Sequence, residues 1–193
     1  MKDKIKKLLN PFSKLSFKDS LANDIASIQL FDQNSNKSII RLFLNRYSPE
    51  DIYQLMKKVG MLQHLAKRKL DDVVITIDYD YEKIHYLKIY NKEKNPDNLM
   101  IDLRLRETKF FPNPGCTDES SGCFAFDMIV IEWLSAENPF SKFSLEKPQL
   151  PGQSKPGLGA LRYCFKMMYQ VAKGITRDGF MDVPDHAHGA VMY

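Results

Sequence analysis

No apolar run in this chain approaches the roughly 20 residues that a helix needs to cross a bilayer. Its start also lacks the apolar core and small-residue cleavage site of a secretory signal, so a cytoplasmic protein is expected. Cysteine is scarce: Cys116, Cys123 and Cys164 are an odd number and too few for a disulfide framework, which makes reduced thiols the default reading. Cys116 and Cys123 do not have the tight pairing of a zinc knuckle. Charge of one sign is lacking too. The net charge is +4, and residues 1–20 hold six Lys against two Asp, so the remainder is close to neutral and offers no broad nucleic-acid surface. No internal repeat or low-complexity tract occurs, and no GxSxG elbow marks a Ser-His-Asp hydrolase.

What is present has the composition of an ordinary globular protein, 44% hydrophobic and 27% charged over 193 residues. We read a basic arm or short amphipathic helix over 1–20 and a single domain over 21–193. The arm reads as a solvated element that packs on the domain or, alternatively, as a weak foothold on an anionic membrane. From Ser27 to Tyr47 two apolar pieces flank the turn-forming DQNSNKS and predict a pair of strands. Ser48-Pro49-Glu50-Asp51 is a helix start, and two helices, or one kinked at Gly60, should run to Leu70. His64 within them reads as a surface or packing residue.

Residues 72–107 alternate with period two in three runs, VVITIDY, IHYLKIY and LMIDLRLRE, and predict a three-stranded antiparallel meander. Asp102, Arg104 and Arg106 share a face with Met100, which reads as solvated. A loop over Phe111–Gly122 leads into Phe124–Leu134, the most apolar run and the expected central strand. Its Asp127 and Glu132 must reach the surface, pair with a base or serve chemistry. After an irregular stretch with a short strand expected near Phe143–Leu145, LPGQSKPGLGA forms a glycine-rich loop before a helix from Leu161 to Gly174. Gly179–Val183 reads as a strand and Asp185–Tyr193 as the start of a last helix.

Glycines before a helix N-terminus suit an anion, most often a phosphate, with a plain helix entry as the alternative. A nucleotide P-loop is excluded, because Leu158 and Gly159 stand where GxxxxGK[ST] needs Lys and Ser/Thr. A dinucleotide fold suits the antiparallel pattern poorly. Asp182, His186 and His188 could converge on an ion in a turning segment, but no further spaced ligand accompanies them and no metal is favoured.

In its order of elements and in Gln153-Ser154-Lys155-Pro156-Gly157-Leu158-Gly159 the chain resembles the GNAT-type acyltransferase superfamily, whose acyl-CoA motif is [RQ]xxGx[GA]; one extra residue separates Gln153 from Gly157. The segments after it, GFMDV and a stretch with Ala190 and Tyr193, resemble that family's next strand and Tyr-bearing helix. The resemblance implies an α+β (mixed α/β) fold with a mostly antiparallel central sheet flanked by helices. It also implies acetyl-CoA or a longer acyl-CoA as co-substrate, and a small-molecule or peptide amine as acceptor. The pyrophosphate would lie on Gln153, Lys155, Gly157, Leu158, Gly159 and Ala160. Tyr193 would protonate the leaving thiolate, and Glu132 or, secondarily, Asp127 would act as base. The family's fourth strand runs straight into this loop, so either an insertion follows Leu134 or the true fourth strand lies near Phe143–Leu150. The family's closing strands would come after Tyr193, so a domain shortened at its C-terminus is expected. A non-catalytic acyl-CoA or anion-binding module is the alternative.

Overall fold

Helix α1, Pro49–Lys58, starts on a reciprocal cap: Asp51 N–H donates to Ser48 Oγ at 3.2 Å, and Ser48 N–H donates to Asp51 Oδ2 at 2.8 Å. Gly60 at φ +83° breaks the run, and α2, Met61–Ala66, follows, shorter than the expected span to Leu70. The computed structural model describes residues 41–113, 115, 124–145, 148–149, 153–175 and 177–182, within one compact unit spanning Ile40–Tyr193. The expected arm over 1–20 and the last helix over Asp185–Tyr193 lie outside the described residues, as do Cys116 and Cys123. Arg41–Tyr47, expected as strand, instead closes a tight turn through the Phe43–Tyr47 bridge, with Leu44 at φ +50° and Asn45 at φ +56°.

The meander is as expected. Strands β1 (Val73–Tyr79), β2 (His85–Asn91) and β3 (Leu99–Phe110) pair antiparallel in sequence order, and β4 (Phe126–Ala136) adds antiparallel to β3. Helix α3, Leu161–Gly174, then crosses to β5 (Gly179–Asp182), which lies parallel to β4 through Met128↔Gly179 to Ile131↔Asp182. Among the described residues the result is an α+β arrangement, a five-stranded mostly antiparallel sheet with three α-helices. Among the described residues no helix is long and apolar enough to cross a membrane.

One face of the sheet carries the core. Ile89, Ile101, Leu103, Leu105 and Ile129 are fully buried at alternate positions and pack in one cluster with Ile52 and Met56 of α1, Met61 and Leu65 of α2, and Cys164, Met168 and Val171 of α3. The surface expected to be solvated departs from that reading at two residues: Met100, at a register shift, joins the core cluster, and Asp102 is 5% exposed. Arg104 explains the carboxylate. Its Nη2 donates to Asp102 Oδ2 at 2.7 Å, while its guanidinium stacks 5.6 Å from the rings of both Tyr86 and Trp133.

Cys164 lies in the middle of this core, and burial pushes its thiol up to about 12. Only the thiolate is alkylated, so iodoacetamide at mildly alkaline pH should modify Cys164 at least about 100-fold more slowly in the native protein than in urea. Peptide mass mapping reads this directly. Equal rates would mean that α3 does not pack on the sheet as described.

Candidate functional site

Strand β4 ends at Ala136, and the chain leaves the sheet through residues 138–156 before returning. Two backbone hydrogen bonds close this excursion at its neck: Leu158 N–H donates to Ala136 O, and Asn138 N–H to Pro156 O, both at 2.8 Å. A bridge pairs Glu137 with Gly157 between them. The Glu137 carboxylate tightens the closure, accepting from Ser154 N–H at 3.0 Å and from Ser154 Oγ at 2.6 Å. Gly157 therefore returns antiparallel beside Glu137, so the loop doubles back along the end of β4. Of the short strand expected near Phe143–Leu145, the described residues show a single bridge residue at Ser144, with Phe143 and Leu145 outside any strand.

The turn that follows is held by side chains from α2. Leu158 is fully buried, and its carbonyl lies 3.2 Å from His64 Nε2. A carbonyl only accepts, so Nε2 carries the proton and Nδ1 presents a lone pair, 3.3 Å from Arg68 Nη1. That contact brings Arg68 over Gly159, where a Cβ would come within 3.3 Å of Nη2. Gly159 sits at φ +67°, and no side chain caps α3 at Ala160, so the first-turn N–H dipoles of the helix keep their positive end uncompensated. On the other side, Arg162 stacks 4.7 Å from the Tyr163 ring and donates to its hydroxyl at 2.8 Å, and that ring lies 4.7 Å from His64.

Charge pairing sets these two arginines apart. Arg41, Arg46, Arg104, Arg106 and Arg177 each hold a carboxylate, whereas Arg68 and Arg162 have none among the described residues. Both flank the same glycine turn. Neither was singled out from sequence, although Arg162 is the second residue of the helix after the loop and could have been found by its position.

The expected loop ligands separate into three groups. Gly157 is open, with nothing within 4 Å of a Cβ built there, and Gly159 and Ala160 form the helix entry. Leu158 is a correction: its amide is used by Ala136, so it anchors the loop and has no N–H to offer an anion. The Lys155 side chain points elsewhere, since its Nζ donates to the Asp97 carbonyl at 3.3 Å, and the backbone carbonyl of Gln153 accepts from Gln149 Nε2 at 2.7 Å.

Of the two carboxylates on β4, Glu132 lies in a bulge, because the ladder passes from Leu105↔Ile131 to Arg104↔Trp133 and leaves it without a partner residue. Arg106 Nε and Nη2 both approach Glu132 Oε1, at 2.7 and 2.6 Å, so the guanidinium holds one carboxylate oxygen. The bulge follows the last β4–β5 pair, and from Glu132 to Ser135 no strand lies opposite on that side among the described residues. Asp127 sits ten residues before Glu137, some 33 Å along the strand at about 3.3 Å per residue. Lys109 Nζ at 3.0 Å and Arg177 Nη1 at 3.4 Å hold Asp127 there, and they keep its carboxyl below the usual range, the Lys109 hydrogen bond most of all. The structure does not bring Asp127 to the loop. Tyr193, His186 and His188 lie outside the described residues; Asp182 ends β5, and among the described residues no cluster of His, Cys, Asp and Glu suits a metal ion.

No protein-family model, curated protein or solved structure matches this chain.

The two glycines should respond differently to a side chain. Gly157→Val meets open space and should leave the unfolding midpoint within a few degrees of wild type. Gly159→Val forces a β-branched residue into the left-handed region against Arg68 and should cost about 1–3 kcal/mol. Urea unfolding distinguishes them, and equal losses would contradict the turn geometry.

Proposed function

We propose that this protein is a GNAT-like N-acyltransferase that binds an acyl-CoA at the 157–160 turn and passes the acyl group to an amine. The observation that carries the reading is an uncapped helix N-terminus with Arg68 over Gly159 and Arg162 in the first turn of α3, arginines with no carboxylate among the described residues. A pyrophosphate supplies the negative charge that this arrangement lacks, and the guanidinium fork recognises phosphate oxygens in pairs. The resemblance of the loop to the acyl-CoA motif, and the parallel β4–α3–β5 unit around it, favour CoA over other phosphate esters.

An extended pantetheine arm running from the turn along the β4 edge, past Ser135 toward Glu132, would put the thioester about five strand residues from the phosphates, roughly 17 Å. There the amine nitrogen attacks the thioester carbonyl carbon, a tetrahedral oxyanion forms, and its collapse breaks the carbon–sulfur bond and releases CoA thiolate. Backbone N–H groups freed by the bulge are suited to the oxyanion. Glu132 is the base in this scheme: Arg106 fixes Oε1, and Oε2 takes the proton from the amine directly or through one water. The thiolate takes a proton from an acid that the resemblance assigns to Tyr193.

The Glu132–Arg106 pair equally serves a sheet that does no chemistry, and on that observation the second reading is a binding module that keeps the anion turn alone.

Calorimetric titration with CoA and acetyl-CoA tests binding, and thiol release across a panel of amines tests turnover. Arg68→Ala and Arg162→Ala should each weaken CoA by about 10- to 100-fold, the loss expected for a charged hydrogen bond. Gly157→Val should remove binding while the fold survives. Wild-type protein that binds neither ligand sinks both readings. If CoA binds but Glu132→Gln and wild type release thiol at the same rate, the base assignment fails and the binding module stands.

A further inference from the structure

His85 opens β2 on the core face and is 4% exposed. Its Nδ1 accepts the Leu44 N–H at 3.1 Å, a contact between a buried ring and a buried backbone donor. Phe43 lies edge-on to the imidazole at 6.2 Å and Tyr79 tilts against it at 6.0 Å. The turn pinned in this way is unfavourable by itself, since Leu44 and Asn45 both occupy the left-handed region that suits glycine. It persists because its contacts hold it: the paired bonds between Phe43 and Tyr47, and Arg46 on the Glu107 carboxylate at 3.0 Å.

The turn is also tied to α3. Tyr47 Oη donates to the Val171 carbonyl at 3.3 Å and sits where a Cβ on Gly174 would be, 2.5 Å away. Gly174 thus leaves room for a hydroxyl that fastens the last turn of α3. Glu107 links the same elements from the sheet side, holding Arg46 with one oxygen and Arg177, just before β5, with the other at 3.0 Å.

We propose that His85 is a proton-operated latch: neutral, it holds the Leu44–Tyr47 turn shut and keeps Tyr47 on the end of α3; protonated at Nδ1, it releases both. The chemistry is one proton taken from solvent. Nδ1 cannot hold a proton and accept the Leu44 N–H at once, so two donors would face each other in a buried site. The charged groups around the ring are Glu107 from β3 and Asp80 from the β1–β2 turn, both favouring the imidazolium, as does the Leu42 carbonyl; Arg46 offsets Glu107 from within the turn. Burial outweighs them and lowers the proton affinity of His85 from its ordinary value of 6.5. The sign follows. The open state binds the proton more readily than the closed state, so the closed state has its full advantage above 6.5 and loses it as pH falls through the lower value of the shut latch.

Hydrogen–deuterium exchange of the full chain, corrected for the intrinsic rate, tests this between about pH 7.5 and about pH 5. In wild type, peptides covering 42–47 and 170–175 should lose protection together by about 10-fold or more. His85→Asn puts Oδ1 near the place of Nδ1 as an acceptor that does not titrate, so its protection should stay flat. In Tyr47→Phe the turn should still open in acid while the end of α3 no longer follows. Unchanged wild-type protection, or the same acid loss in His85→Asn, overturns the proposal. Should His85→Asn fail to fold, NMR of wild type decides: the Leu44 amide shift must follow the His85 ring titration, and a ring that titrates while that amide stays still rejects the latch.

Discussion

Leu158 holds three elements of this protein at one point, and the candidate site exists because it does. Its N–H belongs to the end of β4, its carbonyl to His64 of α2, and its side chain to the core. A residue fixed through both backbone groups and its side chain has little freedom left, so the glycines on either side take up the conformational demand. Gly157 meets open space and Gly159 turns through positive φ. The helix dipole and two arginines are then placed at the end of the sheet as a consequence of packing, before any ligand is considered.

Most of the fold was legible because it rests on periodicity. Alternation at Ile75, Ile77, Leu87, Ile89, Ile101, Leu103 and Leu105 defines the core face, and Ser48 with Asp51 marks a helix start by local chemistry alone. The failures share a physical origin in contacts that leave no mark on nearby sequence. The neck of the 138–156 excursion is made by backbone groups, which every residue except proline supplies alike. The turn at 43–47 requires two side-chain-bearing residues in a conformation that propensity argues against, and it stands on Glu107, His85 and Val171 from elsewhere in the chain. Asp102 looked solvated because its alternation was polar. Its burial follows from Arg104 two residues away, with Tyr86 and Trp133 as the stacking surface.

The site was half legible for the same reason. The loop announced itself through glycine and proline, and the roles of Gly157 and Gly159 follow from that. Which carboxylates were occupied could not be read, since Glu132–Arg106 and Asp127–Arg177 join residues far apart in the chain. Nor could the two arginines without a carboxylate among the described residues be separated from the five that have one. Arg68 reaches the turn through His64, which meets the Leu158 carbonyl and the Tyr163 ring across the fold.

The distribution of charge gives the last step. On and around the sheet, each arginine among the described residues is matched by a carboxylate, and the exposed pairs among them, such as Arg41–Asp78, add little to stability. At the α3 N-terminus no such match occurs among the described residues: two arginines, a helix dipole of the same sign and a buried histidine that contacts one of them. Like charges gathered without a counter-ion cost free energy, which folding must offset elsewhere. An anion arriving at the turn would remove that cost. Glu137 is bridged to Gly157 at the neck, but its carboxylate is engaged by Ser154. Among the described residues the two arginines thus keep no carboxylate, and the phosphate recognition proposed above is one use for that arrangement.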